Sequence, residues 1–130
     1  MTLNEYQERA MTTCTKSSGN LLYMLLNLQG EVGEFSSKIA KYIRKGKAWF
    51  DIGAEPTDMV GVTVEHDLEL LLIEPEEVLN LRKEAGDCLW MISGLCSVMG
   101  WTMEEVAQEN LDKLADRQKR GVIVGEGDNR

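Results

Sequence analysis

Proline is almost missing from this chain, with only Pro56 and Pro75 in 130 residues. Few positions are therefore barred from a helix interior. Histidine is scarcer still, with His66 alone, so centres built from several imidazoles are disfavoured. No apolar run reaches the roughly 20 residues that span a bilayer. The first residues, MTLNEYQERA, lack a basic region followed by an apolar one. No signal peptide is expected, and the expected compartment is the cytoplasm. The cysteines, Cys14, Cys88 and Cys96, are odd in number and show no CxxC spacing. Buried, reduced thiols are the expectation.

Positive charge is also in deficit. Fourteen Lys and Arg face 22 Asp and Glu, for a net charge of −8. General nucleic-acid binding is disfavoured. The basic residues cluster, however, as Lys38, Lys41, Arg44, Lys45 and Lys47, and again as Lys113, Arg117, Lys119, Arg120 and Arg130. Two local patches on an acidic protein suit a small anionic ligand better than a long polyanion.

The helical signals are strong. Thr2 with Glu5 reads as a capping box for a first helix over about 2–16, broken by Ser17-Ser18-Gly19-Asn20. Leu21, Leu25, Leu28, Val32, Phe35, Ile39 and Tyr42 alternate steps of four and three, which predicts a second helix over about 21–45, ended by Gly46. Pro75 suits the first turn of a third helix over about 75–99, with Glu76 and Glu77 at its positive end. Gly100 stops it. Thr102 and Glu105 form a second capping box for a fourth helix over about 102–119.

Residues 46–74 mix turn signals with short apolar runs and read as an irregular excursion. Within it, MVGVTV suits a strand, and LELLLI suits strand or helix. Residues 120–130 read as an extended tail. The expected architecture is all-α, a four-helix bundle forming a single domain over 1–130. The second half of the third helix is apolar nearly all round, from Cys88 to Met99, so a homodimer or larger assembly is expected.

Two segments rhyme, EVGE at 31–34 and EAGD at 84–87. Residues three apart on a helix lie on neighbouring turns of one face. Glu31 falls roughly 60° from the apolar stripe through Leu28, and Glu34 roughly 120°. Glu84 and Asp87 continue the line of Met91, Leu95 and Val98 and take places that the pattern otherwise gives to core residues. Either motif alone reads as ordinary surface acids. Together they gather four carboxylates whose repulsion needs a positive partner. No basic residue is interleaved within either motif, and a hard divalent cation suits carboxylate oxygens. Mg²⁺ is the expected ion, with Mn²⁺ as a substitute. A di-iron site wants Glu-x-x-His on two helices, and His66 lies outside both motifs, as an incidental surface or packing residue. Gly33 and Gly86 each cost about 1 kcal/mol against alanine inside a helix. Close helix approach or room for a ligand would explain them.

These residues resemble a known family. LQGEVGEFSSKIAK, followed by LRKEAGDCLWMISGLCSVMGWTMEEVAQENLDKLADR, is similar to the MazG-like, all-α nucleoside triphosphate pyrophosphohydrolases. The family pattern, ExxE on one helix and ExxD on the next, is matched by Glu31, Glu34, Glu84 and Asp87. The later Trp90, Gly100, Thr102, Glu105 and the Asn110-x-x-Lys113 pair match as well. The resemblance implies Mg²⁺-dependent hydrolysis of a nucleoside triphosphate, often a deoxynucleotide, to the monophosphate and pyrophosphate. It implies the four acids as metal ligands, with Glu31 or Glu34 as general base. Lys38, Lys113 and Arg117 become candidates for phosphate, and Asn110 for sugar or phosphate. Trp49 is placed to stack on a base or to anchor the excursion. Arg120 and Arg130 reach phosphate if the tail closes.

Two departures from the family stand out. Forty-nine residues, 35–83, separate the motifs, more than is usual in the family. Met91 stands where many relatives carry an aromatic. The alternative is a non-catalytic helical oligomer, or a nucleotide-binding regulatory module, whose acids are simply solvated. Insensitivity of its stability to divalent ions would mark the non-catalytic oligomer.

Overall fold

A computed structural model describes residues 1–46, 48–52, 62–66, 69–73 and 75–122; among the strand residues, only the side chain of Ile73 is described. The elements run α1 (Leu3–Met11), α2 (Leu21–Arg44), β1 (Ala48–Ile52), β2 (Val62–His66), β3 (Glu69–Ile73), α3 (Pro75–Met99) and α4 (Met103–Lys119). The fold class is all-α, as expected, carried by four helices. The chain gathers into two compact units, residues 1–21 with 93–130, and residues 22–92.

In the first unit, α1 opens on the expected capping box. Thr2 Oγ1 accepts the Glu5 N–H at 3.1 Å, and Glu5 Oε2 accepts the Thr2 N–H at 2.7 Å. The helix ends at Met11 rather than near residue 16. The reason is hydroxyl chemistry. Thr12 and Thr13 donate back to the carbonyls of Arg9 and Ala10, each at 2.7 Å, and so satisfy acceptors that a continuing helix would have used. Ser18 then closes a tight turn on Thr15.

The start of α4 is satisfied from two directions. Its own capping box joins Thr102 and Glu105. The next orphan donors are met by α1: Gln7 Oε1 accepts the Met103 N–H at 2.8 Å, and Asn4 Oδ1 accepts the Glu104 N–H at 3.1 Å. Gln7 is buried, and its Nε2 donates to Ser97 Oγ and to the Trp101 carbonyl at 2.9 and 3.0 Å. One side chain thereby ties α1 to the end of α3 and the start of α4.

Gly100 ends α3 with φ +74°. Trp101 N–H donates to the Cys96 carbonyl at 2.9 Å and Gly100 N–H to that of Ser97 at 3.2 Å, the paired bonds of a Schellman turn. A side chain at this φ would be strained, which is why glycine stops the helix here.

The second unit packs α2 against α3 and the strand that leads into it. Its core centres on Tyr42, Ile73 and Leu81, with Phe35, Ile39 and Val78 packed around them. Phe35, Ile39 and Tyr42 are the lower part of the sequence stripe. The Tyr42 phenol is buried and hydrogen-bonded to Glu77, and burial first, then that bond, raises its pKa.

The stretch expected as irregular carries a small antiparallel sheet of order β1-β3-β2. β3 is central: Ile73 pairs with Ala48 on one side and Val62 on the other, and Leu71 with Phe50 and Val64. The β-branched run Val62-Thr63-Val64 and the aromatic pair Trp49-Phe50 favour extended backbone. Of the tail, residues 121 and 122 close the end of α4, where Val122 N–H reaches the Arg117 carbonyl at 3.0 Å. Residues 123–130, Arg130 among them, lie outside the described residues.

Candidate metal and nucleotide site

Within the second unit, α2 and α3 bring carboxylates together. Glu31, Glu84 and Asp87 each offer an oxygen, and these oxygens lie within 4.8 Å of one another. Oxygens around a six-coordinate Mg²⁺ sit about 2.1 Å from the ion, hence about 3–4 Å apart. The set is all oxygen and nearly convergent, so it fits a hard cation with a small adjustment of side chains. Burial is graded across it: Glu84 is buried, Glu31 half-buried and Asp87 exposed.

Sequence geometry anticipated this grading on α2. Glu31 sits on the shoulder of the buried face, and Glu34, farther round, is exposed. Glu34 is outside the converging trio yet close enough to act on it electrostatically. Burial, then the charges of Asp87 and Glu34, raise the Glu31 pKa, while a hydrogen bond from Asn27 opposes them.

Two partners join the acids. Lys38, one turn beyond the first motif, makes an ion pair with Glu84. The hydrogen bond to Glu84 raises the Lys38 pKa. The compensating charge assigned to a divalent ion alone is thus partly supplied by the chain. Asn27 Nδ2 donates to Glu31 Oε1 at 3.0 Å and also lies 3.4 Å from Met91 Sδ. Asn27 escaped the sequence reading. The signal was its four-residue spacing from Glu31, which puts both on one helix face. Met91, where relatives carry an aromatic, is buried against this asparagine.

Close helix approach does not explain the two glycines. A Cβ added at Gly33 or Gly86 would meet nothing within 4 Å among the described residues. Cys88, next to Asp87, is a half-buried free thiol with a pKa raised by burial and by the nearby acids; Cys96 is buried and Cys14 half-buried. Of the expected burial of the three thiols, only that of Cys96 is complete.

The remaining candidates belong elsewhere in the chain. Asn110 and Lys113 are exposed on α4, Arg117 is 5% exposed, and Arg120 is engaged with Asp116 at 2.7 Å. Trp49 is in β1, opposite Leu72, with its side chain outside the described residues. Among the described residues, no helix is long and apolar enough to cross a membrane.

The chain is 32% identical over 110 residues to the "Gene 37 protein" of Mycobacterium phage L5, an alignment covering 85% of this chain and 76% of the relative. No solved structure matches significantly. The family model described as "MazG nucleotide pyrophosphohydrolase domain" matches residues 20–122, a span that holds both acidic motifs, Lys38 and the whole of α4. With both ExxE and ExxD in place, the chain belongs to the MazG nucleotide pyrophosphohydrolase family.

Proposed function

We propose that the protein hydrolyses nucleoside or deoxynucleoside triphosphates to the monophosphate and pyrophosphate, with Mg²⁺, in cytoplasmic nucleotide-pool control or house-cleaning. The observation that carries this reading is the convergence of Glu31, Glu84 and Asp87 oxygens within 4.8 Å on two helices of the family-matched segment. These three acids would hold the ion. Bound there, Mg²⁺ supplies neutralisation of phosphate charge and acidification of water; Mn²⁺ has the same taste for oxygen ligands and is expected to substitute.

The chain's own residues have separable tasks. Asn27 orients Glu31 through its hydrogen bond. Glu34, exposed and outside the trio, is left to accept the proton of the attacking water, with Glu31 as the other candidate. Water attacks the α-phosphorus, its proton passes to the carboxylate, the bond to the bridging oxygen breaks and pyrophosphate leaves. By the family resemblance Lys38, Lys113 and Arg117 are the candidates for phosphate oxygens, joined by Arg120 or Arg130 if the tail closes. Asn110 is assigned to sugar or phosphate, and Trp49 to the base. The domain is read as one functional unit over 1–130, with 46–74 as an insertion and 120–130 as a tail.

A homodimer or homotetramer belongs to the same reading. Leu22 and Leu26, one turn apart on α2, are 67% and 61% exposed, and Leu111 on α4 is 60% exposed. Large apolar side chains in such numbers favour burial against another copy.

The deciding experiment is pyrophosphate release from a panel of ribo- and deoxynucleoside triphosphates, with Mg²⁺ and with EDTA. Mg²⁺-dependent pyrophosphate is expected, reduced about 100-fold or more in Asp87→Asn and Glu34→Gln. Orthophosphate as product would sink the reading, as would activity that survives EDTA.

A further inference from the structure

Resting on that metal-binding reading, we infer that Lys38 is a built-in rival of the divalent cation for the Glu84 carboxylate, and that it moves to a phosphate oxygen of the nucleotide when the cation binds. Glu84 serves two sets of partners. It contributes an oxygen to the trio with Glu31 and Asp87, and it receives the Lys38 ammonium. A monocation and a dication held by one carboxylate repel each other strongly at such separations. The two states of Glu84 therefore exclude each other or weaken each other.

The side chains suit the exchange. The Glu84 side chain is only 9% exposed, so its charge needs a partner at all times. The Lys38 side chain is 31% exposed, on a flexible four-carbon stem. Glu84 is fixed while Lys38 is free to turn outward. Its position on α2, seven residues beyond Glu31, puts its ammonium beside the oxygens where triphosphate charge would gather. Displacement from Glu84 then has a second anion to receive it. The consequence is positive coupling: metal binds weakly by itself and tightly with nucleotide, because the nucleotide takes up the evicted ammonium.

A lysine that merely braces Glu84 predicts the opposite sign. Removing a brace loosens a ligand and weakens metal binding, whereas removing a rival tightens it. The experiment is a titration with Mn²⁺ alone, followed by electron paramagnetic resonance, on wild type, Lys38→Gln and Lys38→Met. Both neutral variants are expected to bind Mn²⁺ about tenfold more tightly than wild type, and Lys38→Arg to stay near wild type. At saturating Mg²⁺ the neutral variants are expected to raise KM more than they lower kcat.

Unchanged or weaker Mn²⁺ binding in Lys38→Gln and Lys38→Met, with wild type binding Mn²⁺ and releasing pyrophosphate, overturns the rivalry and leaves the proposed reaction standing. Absence of Mn²⁺ binding in wild type and in every variant overturns both. The two neutral variants differ in polarity, so one that fails to fold leaves the other to decide, and a titration of the wild type with and without inorganic tripolyphosphate tests the coupling with no substitution. Mn²⁺ held no more tightly in the ternary mixture than expected from tripolyphosphate and protein separately also overturns it.

Discussion

Asn27 donates a hydrogen bond of 3.0 Å to Glu31, four residues along the same helix. Its amide thus holds the first acid of the trio in place from within α2, and it touches Met91 of α3 in doing so. Asn27→Leu removes the donor while keeping the volume. The expected result is a Kd for Mn²⁺ raised about threefold to tenfold, the equivalent of one ordinary hydrogen bond, about 1 kcal/mol. Calorimetric titration of the variant checks this, and an unchanged Kd would make the bond incidental.

The Glu31 carboxyl has a pKa raised by burial and by Asp87 and Glu34. The folded state therefore holds the proton to higher pH than the unfolded chain does. Stability from this group is present at low pH and falls as pH climbs from the ordinary carboxylate value of 4.5 through the raised value. Without divalent ions, Glu31→Gln is expected to be more stable than wild type at pH 7, with the gap closing below pH about 4. Added Mg²⁺ is expected to stabilise wild type and not the variant. Thermal melts across pH with EDTA and with Mg²⁺ measure all three.

Gln7 anchors the first unit through three hydrogen bonds, one of them from the Met103 N–H at 2.8 Å. Gln7→Leu leaves that N–H, whose bond is buried, and the Trp101 carbonyl, whose bond is part-buried, without this partner. A loss of about 2–3 kcal/mol is expected, by the cost of stranding buried polar groups. Urea unfolding gives the number. A change below about 0.5 kcal/mol would mean that water replaces the side chain.

Leu22 and Leu26 present the apolar surface of α2 most openly. For the proposed homo-oligomer, introducing charge there, as Leu22→Glu with Leu26→Glu, is expected to give a smaller species than wild type on light scattering. Retention of the wild-type mass would place the contact elsewhere, with the exposed Leu111 face next in line.

The α2–α3 acids were legible because helical periodicity converts spacing into direction. Glu31 is half-buried on the shoulder of a stripe whose lower part, Phe35, Ile39 and Tyr42, packs into the core, and Glu84 is buried in line with Met91. Lys38 was legible as a neighbour of the acids but not as the partner of Glu84, because that pairing joins residues 46 apart in sequence. Asn27 was hidden by an ordinary identity, although its spacing was available.

Local chemistry in the sequence by itself determined the four helices, both capping boxes, the glycine stop at Gly100 and the acidic spacing of the two motifs. Each depends on contacts within a few residues, so the chain carries the information in short windows. Tertiary structure decided the rest. Gln7 and Asn4 met the first donors of α4 from a distant part of the chain. The strands of 46–74 formed because β3 found partners on both edges. Which acids converge, and that a lysine shares one of them, follows from two helices packing face to face, where the cost of a buried charge selects its partner from whatever the fold brings near.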